Sequence, residues 1–255
     1  MDPVVLREMR ARFVGMAGEY AERLGDRREH IILKRDHSLR VHALAAKIVA
    51  RESIAPPAPY LAAALVHDIG RFSQFERFGT YRDDQSVDHG EEGADFLREG
   101  DFLSAFEPQV RDCIILAVRL HNKREVPRDM DPLSRALCNV VRDADKLDIV
   151  PVVLAKLGAS GPQDPVVTLG LMDEPEAWTE LVAEAVADGE SPAYGELRYI
   201  NDFKLLLASW GPKLVHGASR RIFSGRGYLD SLFDLLPKTE RFSGLKSCLA
   251  GHLER

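Results

Sequence analysis

Residues 62–72 read A-A-A-L-V-H-D-I-G-R-F, and the interpretation of the whole chain starts from this stretch. The apolar, alanine-rich part predicts a buried helix, and Gly70 stands where such a helix would end. The doublet His67-Asp68 therefore lies at the end of a buried helix. Because charged groups in an apolar interior are normally paired or bound to metal, the doublet needs a partner. Either Asp68 holds His67 in one tautomer, or the pair belongs to a metal site.

The composition argues against a protein specialised for nucleic acid. The chain has 255 residues, of which 45% are hydrophobic, so it can bury a sizeable core. Its formal net charge of −6 does not suit a protein that binds mainly to a nucleic-acid backbone, because that interaction depends on Lys and Arg. Nucleic acid is therefore not an expected partner.

The chain also lacks the signals of export and of membrane insertion. No stretch approaches the roughly 18 consecutive apolar residues of a membrane helix, and the charged N-terminus has no apolar signal segment. Three widely spaced cysteines without a CxxC pair argue against a disulfide framework and a thiolate zinc site. We expect an unprocessed cytoplasmic protein with no membrane partner.

Apolar residues recur at helical spacing along most of the chain, and no region is rich in strand patterns, so the predicted class is all-α. Residues 73–87 show no clean period and are expected to form a loop over a pocket. Asp88 is predicted to begin a helix as a capping box with Glu91, and Pro108 begins a helix that ends with His121. Further helices are predicted at about 3–24, 36–51, from 60 to the doublet, and from Asp131-Pro132 onward.

Glycine and proline mark the internal boundary of the chain. Residues 158–170 contain Pro162 and Pro165 and are predicted to form a loop. The predicted domains are a metal-binding helical core over 1–157 and a helical C-terminal extension over 158–255 that packs on this core. In the extension, Asp173 and Glu176 are expected to cap the first helix, and helical patterns follow at about 194–210, 228–236 and 239–252.

Four histidines and two aspartates indicate a metal site, because each lies in the doublet or at the inward face or end of a predicted helix. A single buried histidine is usually a hydrogen-bonded core residue, but the joint occurrence of six such residues favours metal binding. Imidazoles and carboxylates suit Mn, Fe, Zn or Ni, whereas calcium prefers oxygen cages. We expect one or two divalent ions, with Mg also allowed. The six residues are His37, His67, Asp68, His89, His121 and Asp145.

The order of these residues resembles the HD-domain superfamily of metal-dependent phosphohydrolases. A first His, then H-D-I-G-R-F, then a late Asp within A-D-K-L-D carry the resemblance over roughly residues 30–155. It implies an all-helical HD-domain bundle in which His37, His67, Asp68 and Asp145 bind a divalent metal, and Asp68 can bridge to a second metal. His89 and His121 match the two further histidines of dinuclear members.

Departures from the family pattern narrow the implied activity. Many HD enzymes that act on cyclic dinucleotides carry a His-His pair and a GYP motif, whereas this chain has His121-Asn122 and no GYP. Hydrolysis of cyclic di-GMP is therefore not expected. The wider pattern H-D-I-G-R-F-x-Q-F, G-T-Y, S-V-D-H and R-D-A-D-K-L-D resembles a bacterial subgroup of HD hydrolases.

The reaction expected from this resemblance is hydrolysis of a phosphate ester of a nucleotide or a related small molecule, by water activated at the metal. Arg71, three residues beyond Asp68, can bind phosphate through its planar fork of donors, or it is a surface arginine in a loop. Asp148 shares a helix face with Asp145. It is expected to orient a ligand or position water, or it is a structural cap.

Two other functions stay open at the level of sequence. The same six-residue order resembles the mixed-valent di-iron oxygenases of the superfamily, such as inositol oxygenase, which activate oxygen and cut no phosphate ester. A non-catalytic HD module would bind a nucleotide or a partner helix without turnover. The intact ligand set argues against such a module, and Arg71 together with the frequency of hydrolases in the superfamily favours hydrolysis.

Overall fold

The protein folds into α-helices, and this confirms the predicted class. The computed structural model describes residues 3–157 and 168–253. These ranges contain no β-strand, and their one pair of bridged residues is Met172 with Tyr199. The chain divides into two compact units, Met1–Asp148 and Ile149–Arg255. The predicted loop at 158–170 lies mostly outside the described residues, and the predicted domain arrangement stays a prediction.

The first unit is built around a short helix in which eight of the nine residues are buried. Residues 62–66 of this helix have no exposed surface, and three other helices, α1, α2 and α6, pack against it. Its alanines allow this close approach because they add little bulk between the helices. The helices are α1 (Pro3–Leu24), α2 (Arg28–Arg51), α3 (Ala58–Val66), which is the buried one, α4 (Gly70–Phe78), α5 (His89–Glu99), α6 (Pro108–Leu120) and α7 (Pro132–Leu157), of which the part up to Asp148 belongs to this unit.

The predicted role of Gly70 is wrong. Helix α3 ends at Val66, residues 67–69 form a turn, and Gly70 begins α4. A Cβ at Gly70 would lie 2.6 Å from the backbone nitrogen of Gly93 and still closer to the carbonyl oxygen of His89. Glycine is required here because the start of α4 lies against the start of α5. The doublet therefore lies in a turn between two helices.

Two helix boundaries differ from the prediction. Helix α4 continues to Phe78, so the first part of the predicted 73–87 loop is helical, and Gly79 ends it with a left-handed φ of 66°. Gln74 is buried in this helix and its amide donates to Asp83 and Ser86, so a polar residue on the inward face hid the helical period. Helix α2 begins at Arg28 rather than near residue 36, because a short 3-10 turn leads directly into it.

The predicted starts of three helices are confirmed, although only the Asp88 half of the predicted capping box is present and the Glu91 carboxylate pairs with Arg119 instead. The carboxylate of Asp88 accepts hydrogen bonds from the backbone nitrogens of Gly90 and Glu91 at the start of α5. Pro108 and Pro132 are the first residues of α6 and α7. These positions bear on the candidate site, because α5 and α7 each carry a candidate residue and α6 ends directly before His121.

The second unit is arranged around α9, against which α8, α10, α11 and α12 all pack. The predicted cap at Asp173 and Glu176 is wrong, since α8 begins at Glu180, and the helix α10 was not predicted. None of the described helices is both long and apolar enough to cross a membrane. The helices are α8 (Glu180–Ala187), α9 (Ile200–Lys213), α10 (Gly217–Gly225), α11 (Tyr228–Asp234) and α12 (Glu240–Leu253).

Candidate metal centre

The six predicted side chains come together in the first unit, although they lie on five separate elements. Five of them are buried, and the side chain of Asp145 is 18% exposed. They are His37 on α2, His67 and Asp68 in the turn after α3, His89 at the start of α5, His121 directly after α6, and Asp145 on α7.

Four of these residues form a first donor group. The Nε2 atoms of His37 and His67 lie 3.3 Å apart, and Asp145 Oδ1 lies 3.0 and 3.6 Å from them. Asp68 Oδ2 lies 3.6 and 3.9 Å from the same two nitrogens. Bonds of roughly 2.0 to 2.3 Å to a shared ion place neighbouring ligand atoms about 3 to 4 Å apart. The first donor group therefore has the spacing of a metal site.

A second donor group uses the other oxygen of the same aspartate. Asp68 Oδ1 lies 3.4 Å from His89 Nε2 and 3.5 Å from His121 Nε2. These two nitrogens lie 3.0 Å apart. Asp68 thus presents one oxygen to each group, which is the arrangement of a carboxylate that can bridge two ions.

Two of the imidazoles are oriented by the ends of helices. His67 Nδ1 lies 2.9 Å from the carbonyl oxygen of Ala64, and His121 Nδ1 lies 2.6 Å from that of Val118. Each carbonyl belongs to the last turn of a helix, where carbonyl groups lack a partner within the helix. Because a carbonyl oxygen only accepts, the proton is on Nδ1, and the Nε2 lone pair points into the centre.

The other two imidazoles are oriented by carboxylates. His37 Nδ1 lies 2.7 Å from Asp148 Oδ2, and His89 Nδ1 lies 2.7 Å from Asp83 Oδ2. Arg40 fixes Asp148 in turn through two hydrogen bonds of 2.8 and 2.9 Å. A carboxylate on Nδ1 selects the tautomer whose Nε2 can bind metal and makes that nitrogen more basic.

The donor set fits a divalent metal. Four Nε2 lone pairs and oxygens of two carboxylates point at each other over 3.0 to 3.9 Å, an arrangement that is repulsive unless cations lie between them. Imidazole and carboxylate together are the ligands preferred by transition metals such as Mn, Fe, Zn and Ni. One or two ions can therefore be held by His37, His67, Asp68, His89 and His121, with Asp145 beside His37 and His67.

Residues 35–149 match the family model described as HD domain. This part of the chain is an HD domain. The matched range contains all six residues of the two donor groups, and HD domains generally bind divalent metals and hydrolyse phosphate esters. Searches of the curated proteins and of the solved structures found no significant match.

Side-chain cations neutralise the shared aspartate of the HD domain. Lys34 Nζ lies 2.8 Å from Asp68 Oδ2, and Arg71 Nε lies 3.5 Å from Asp68 Oδ1. Burial alone would raise the pKa of Asp68, but the positive charges of Lys34 and Arg71, with His67, outweigh burial and hold this pKa well below its usual range. Asp68 is therefore ionised at neutral pH and available as an anionic ligand.

Burial sets the protonation of the imidazoles. It lowers the pKa of His67 and brings the pKa of His89 to about 3, so both rings are neutral at physiological pH. Burial also opposes protonation of His37, but hydrogen bonds with Asp145 and Asp148 outweigh it and raise its pKa. A proton and a metal ion therefore compete for His37, as they do at metal ligands in general.

The two remaining predicted residues have defined contacts. Arg71 lies in α4 rather than in a loop, and its Nη1 donates to Gln74, Tyr81 and Asp83 at 2.5 to 3.0 Å. Its buried Nε has no hydrogen-bond partner among the described residues. Asp148 accepts a hydrogen bond from His37. This contact favours the predicted role of orienting a metal ligand over the role of a structural cap.

Three residues of the centre were not found from the sequence. Lys34 and Arg40 both lie one turn of α2 away from His37, on the same helix face, and this spacing was a usable signal. Lys34 was missed because the helix was expected to begin after it. Asp83 lies in an aperiodic connection, where spacing carries no information about which side chain it contacts.

Proposed function

We propose that the HD domain is a metal-dependent phosphohydrolase that hydrolyses a phosphate ester, of a nucleotide or a related small phosphorylated molecule. The observation that carries this proposal is the position of Asp68, with one oxygen in each of two donor groups. Centres with two neighbouring divalent ions suit in-line displacement at phosphorus, because they hold the attacking and the leaving oxygen together.

The proposed ligands divide between two ions. The first ion would be held by His37, His67, Asp145 and Asp68 Oδ2, and the second by His89, His121 and Asp68 Oδ1. When bound, such ions lower the pKa of water toward about 7 and polarise a phosphoryl oxygen. Asp148 is proposed to keep His37 in the ligating tautomer, and Asp83 does the same for His89.

The charges of the centre favour an anionic substrate. The two donor groups contain two carboxylates and four imidazoles, while Lys34 and Arg71 add positive charge beside Asp68. With divalent ions bound, the centre would therefore carry excess positive charge, and this attracts a phosphate group more than a neutral molecule. The buried Nε of Arg71, which makes no hydrogen bond with the described residues, supplies a donor for a phosphate oxygen.

The test combines metal content with phosphate release. Protein purified without added metal is analysed for its elements and then screened for phosphate release from nucleotides and small phosphate esters. We expect bound transition metal and phosphate release that a chelator abolishes. Asp68→Asn should lower both the metal affinity and the rate of phosphate release about a hundredfold or more. Loss of a metal ligand should cost more than the roughly 10 to 100-fold loss seen when a residue that only orients a ligand is removed. Asp112→Asn, at an exposed position of α6, is the control and should change neither.

Two results would contradict the proposal. Oxygen uptake by an iron-loaded sample that releases no phosphate would favour the oxygenase alternative. Tight nucleotide binding with neither phosphate release nor oxygen uptake would favour a non-catalytic module.

A further inference from the structure

Lys34 donates a hydrogen bond to Asp68 Oδ2, an oxygen of the first donor group. Its ammonium nitrogen lies 2.8 Å from Asp68 Oδ2, the same oxygen that faces His37 and His67. The side chain of Lys34 is 18% exposed and that of Asp68 is 4% exposed, so the ion pair is largely shielded from water. The Lys34 ammonium is therefore already paired with the oxygen that the first metal ion would bind.

The two arginines of the centre are held differently. Arg40 donates two hydrogen bonds to Asp148, and Arg71 uses Nη1 for Gln74, Tyr81 and Asp83. Neither arginine donates a hydrogen bond to Asp68, since Arg71 Nε lies 3.5 Å from Asp68 Oδ1 and contributes only its charge. Lys34 is thus distinguished by donating to a carboxylate that is itself a proposed metal ligand.

A divalent ion in the first donor group would weaken this ion pair. The ion and the ammonium would share Asp68 Oδ2, and like charges a few ångströms apart in a shielded site repel strongly. Lysine has a flexible four-carbon stem and three rotatable donors, so its head group can move while the helix stays in place. The displaced ammonium would still lie beside the metal centre.

The neighbouring ring restricts where the ammonium can go. Lys34 Nζ lies 5.3 Å from the centre of the Tyr81 ring, and Arg71 Cζ lies 5.7 Å from the same point. The ring is fixed because its hydroxyl donates to the carbonyl oxygen of His30 at 2.8 Å. Lys34 and Arg71 thus approach one rigid aromatic side chain, and both lie next to Asp68.

We propose that Lys34 is a phosphate-binding residue whose ammonium is released from Asp68 by metal. Without metal it neutralises Asp68 Oδ2, and with metal bound it donates to a phosphate oxygen together with Arg71. This inference rests on the proposed phosphate-ester substrate. It adds that metal must bind first, since only the released ammonium is available to the phosphate.

The test measures two affinities by calorimetry, with Mn²⁺ as the metal and inorganic phosphate as the anion. We expect Lys34→Met to bind Mn²⁺ about tenfold more tightly or better, because a competing positive charge is removed. The Mn²⁺-loaded variant should bind phosphate about tenfold more weakly or worse, because a charged donor is lost. Lys34→Arg should restore the phosphate affinity. Lys47→Met, at an exposed position of the same helix, should change neither affinity.

Unfolding temperatures of all variants are compared first, so that a folding defect is recognised, and Lys34→Gln replaces the methionine variant if that variant unfolds. Weaker Mn²⁺ binding by the variant would overturn the inference and show that Lys34 only positions Asp68. If the wild type releases phosphate but Lys34→Met binds phosphate as tightly as the wild type does, the role of Lys34 is overturned and the proposed function stands. A Mn²⁺-loaded wild type that neither binds nor releases phosphate would overturn the proposed function as well.

Discussion

The Nε2 atoms of His89 and His121 lie 3.0 Å apart, although both rings already use Nδ1 in hydrogen bonds to oxygen atoms. Both facing nitrogens therefore carry lone pairs, and burial keeps the pKa of His89 at about 3. Such a pair is repulsive unless a cation lies between the rings and Asp68. This pair decides whether the centre binds one ion or two.

Replacing both histidines should therefore lower the metal content. In His89→Ala/His121→Ala protein we expect bound metal to fall toward half of the wild-type value and activity to fall with it, whereas His37→Ala should empty the first site. Elemental analysis after dialysis measures both. Unchanged stoichiometry with a higher KM in the double variant would show instead that these rings contact the substrate.

The Asp148 carboxylate should set the metal affinity through His37. Asp148→Asn weakens the acceptor for His37 Nδ1–H and disrupts the paired hydrogen bonds of Arg40. We expect metal affinity to fall about 10 to 100-fold, as for other groups that orient a ligating histidine. A metal titration measures this, and Asp112→Asn is the control. Equal affinities in the two variants would show that His37 does not need the carboxylate.

The close approach of α4 and α5 should make Gly70 intolerant of a side chain. Gly70→Ala forces a Cβ onto backbone atoms of His89 and Gly93, which cannot rotate away. We expect a loss of about 1 to 3 kcal/mol in the free energy of unfolding, as for other overpacked sites. Gly15→Ala in α1 is the matched control, because its Cβ would meet no atom within 4 Å. That change should stabilise the helix by up to about 1 kcal/mol.

Denaturant titration of both glycine variants measures these effects. A tolerated alanine at Gly70, with the stability and metal content of the wild type, would show that the two helices can separate without disturbing His89.

His42 should make the stability depend on pH outside the metal centre. Burial lowers its pKa, although its Nδ1 donates to the carbonyl oxygen of Leu61 at 2.9 Å. The unfolded chain therefore takes up a proton, near the ordinary pKa of about 6.5, before the folded chain does. The neutral form favours folding, so this contribution is complete above about pH 6.5 and is lost as the pH falls.

Unfolding temperatures of wild type and His42→Gln between about pH 8 and pH 5 isolate this contribution, because the other histidines are present in both proteins. We expect the advantage of the wild type to shrink as the pH falls. A difference that does not change with pH would mean that His42 titrates alike in the folded and unfolded states.

Local signals in the sequence were sufficient to place most of the side chains of the centre on inward positions. The helical period put His37 and Asp145 on buried faces, and the cap at Asp88 put His89 in the first turn of α5. Pro108 begins the helix that ends directly before His121. The convergence of these residues is a structural finding, whereas their binding of metal stays a prediction.

The features that the sequence did not reveal depend on contacts between distant segments. Gly70 looked like a helix stop, because its steric role involves Gly93 on another helix. Gln74 interrupted the apolar period of α4, because its partners lie in the connection that follows. Lys34 lay before the predicted start of α2, and its carboxylate partner lies 34 positions later in the chain. The helical period and the capping signals report only on residues that are close together in the sequence.

The order in which the chain is synthesised bears on when the centre can exist. His37 and its partner Asp148 are separated by 111 positions, and Asp145 lies on the same last helix of the HD domain. A nascent chain thus exposes the His67-Asp68 doublet long before α7 has left the ribosome, and loop closure over such a distance comes late in folding. The first donor group is complete only once α7 has docked. An unfinished chain therefore carries the His67-Asp68 pair but lacks Asp145 and Asp148, which complete the candidate metal centre.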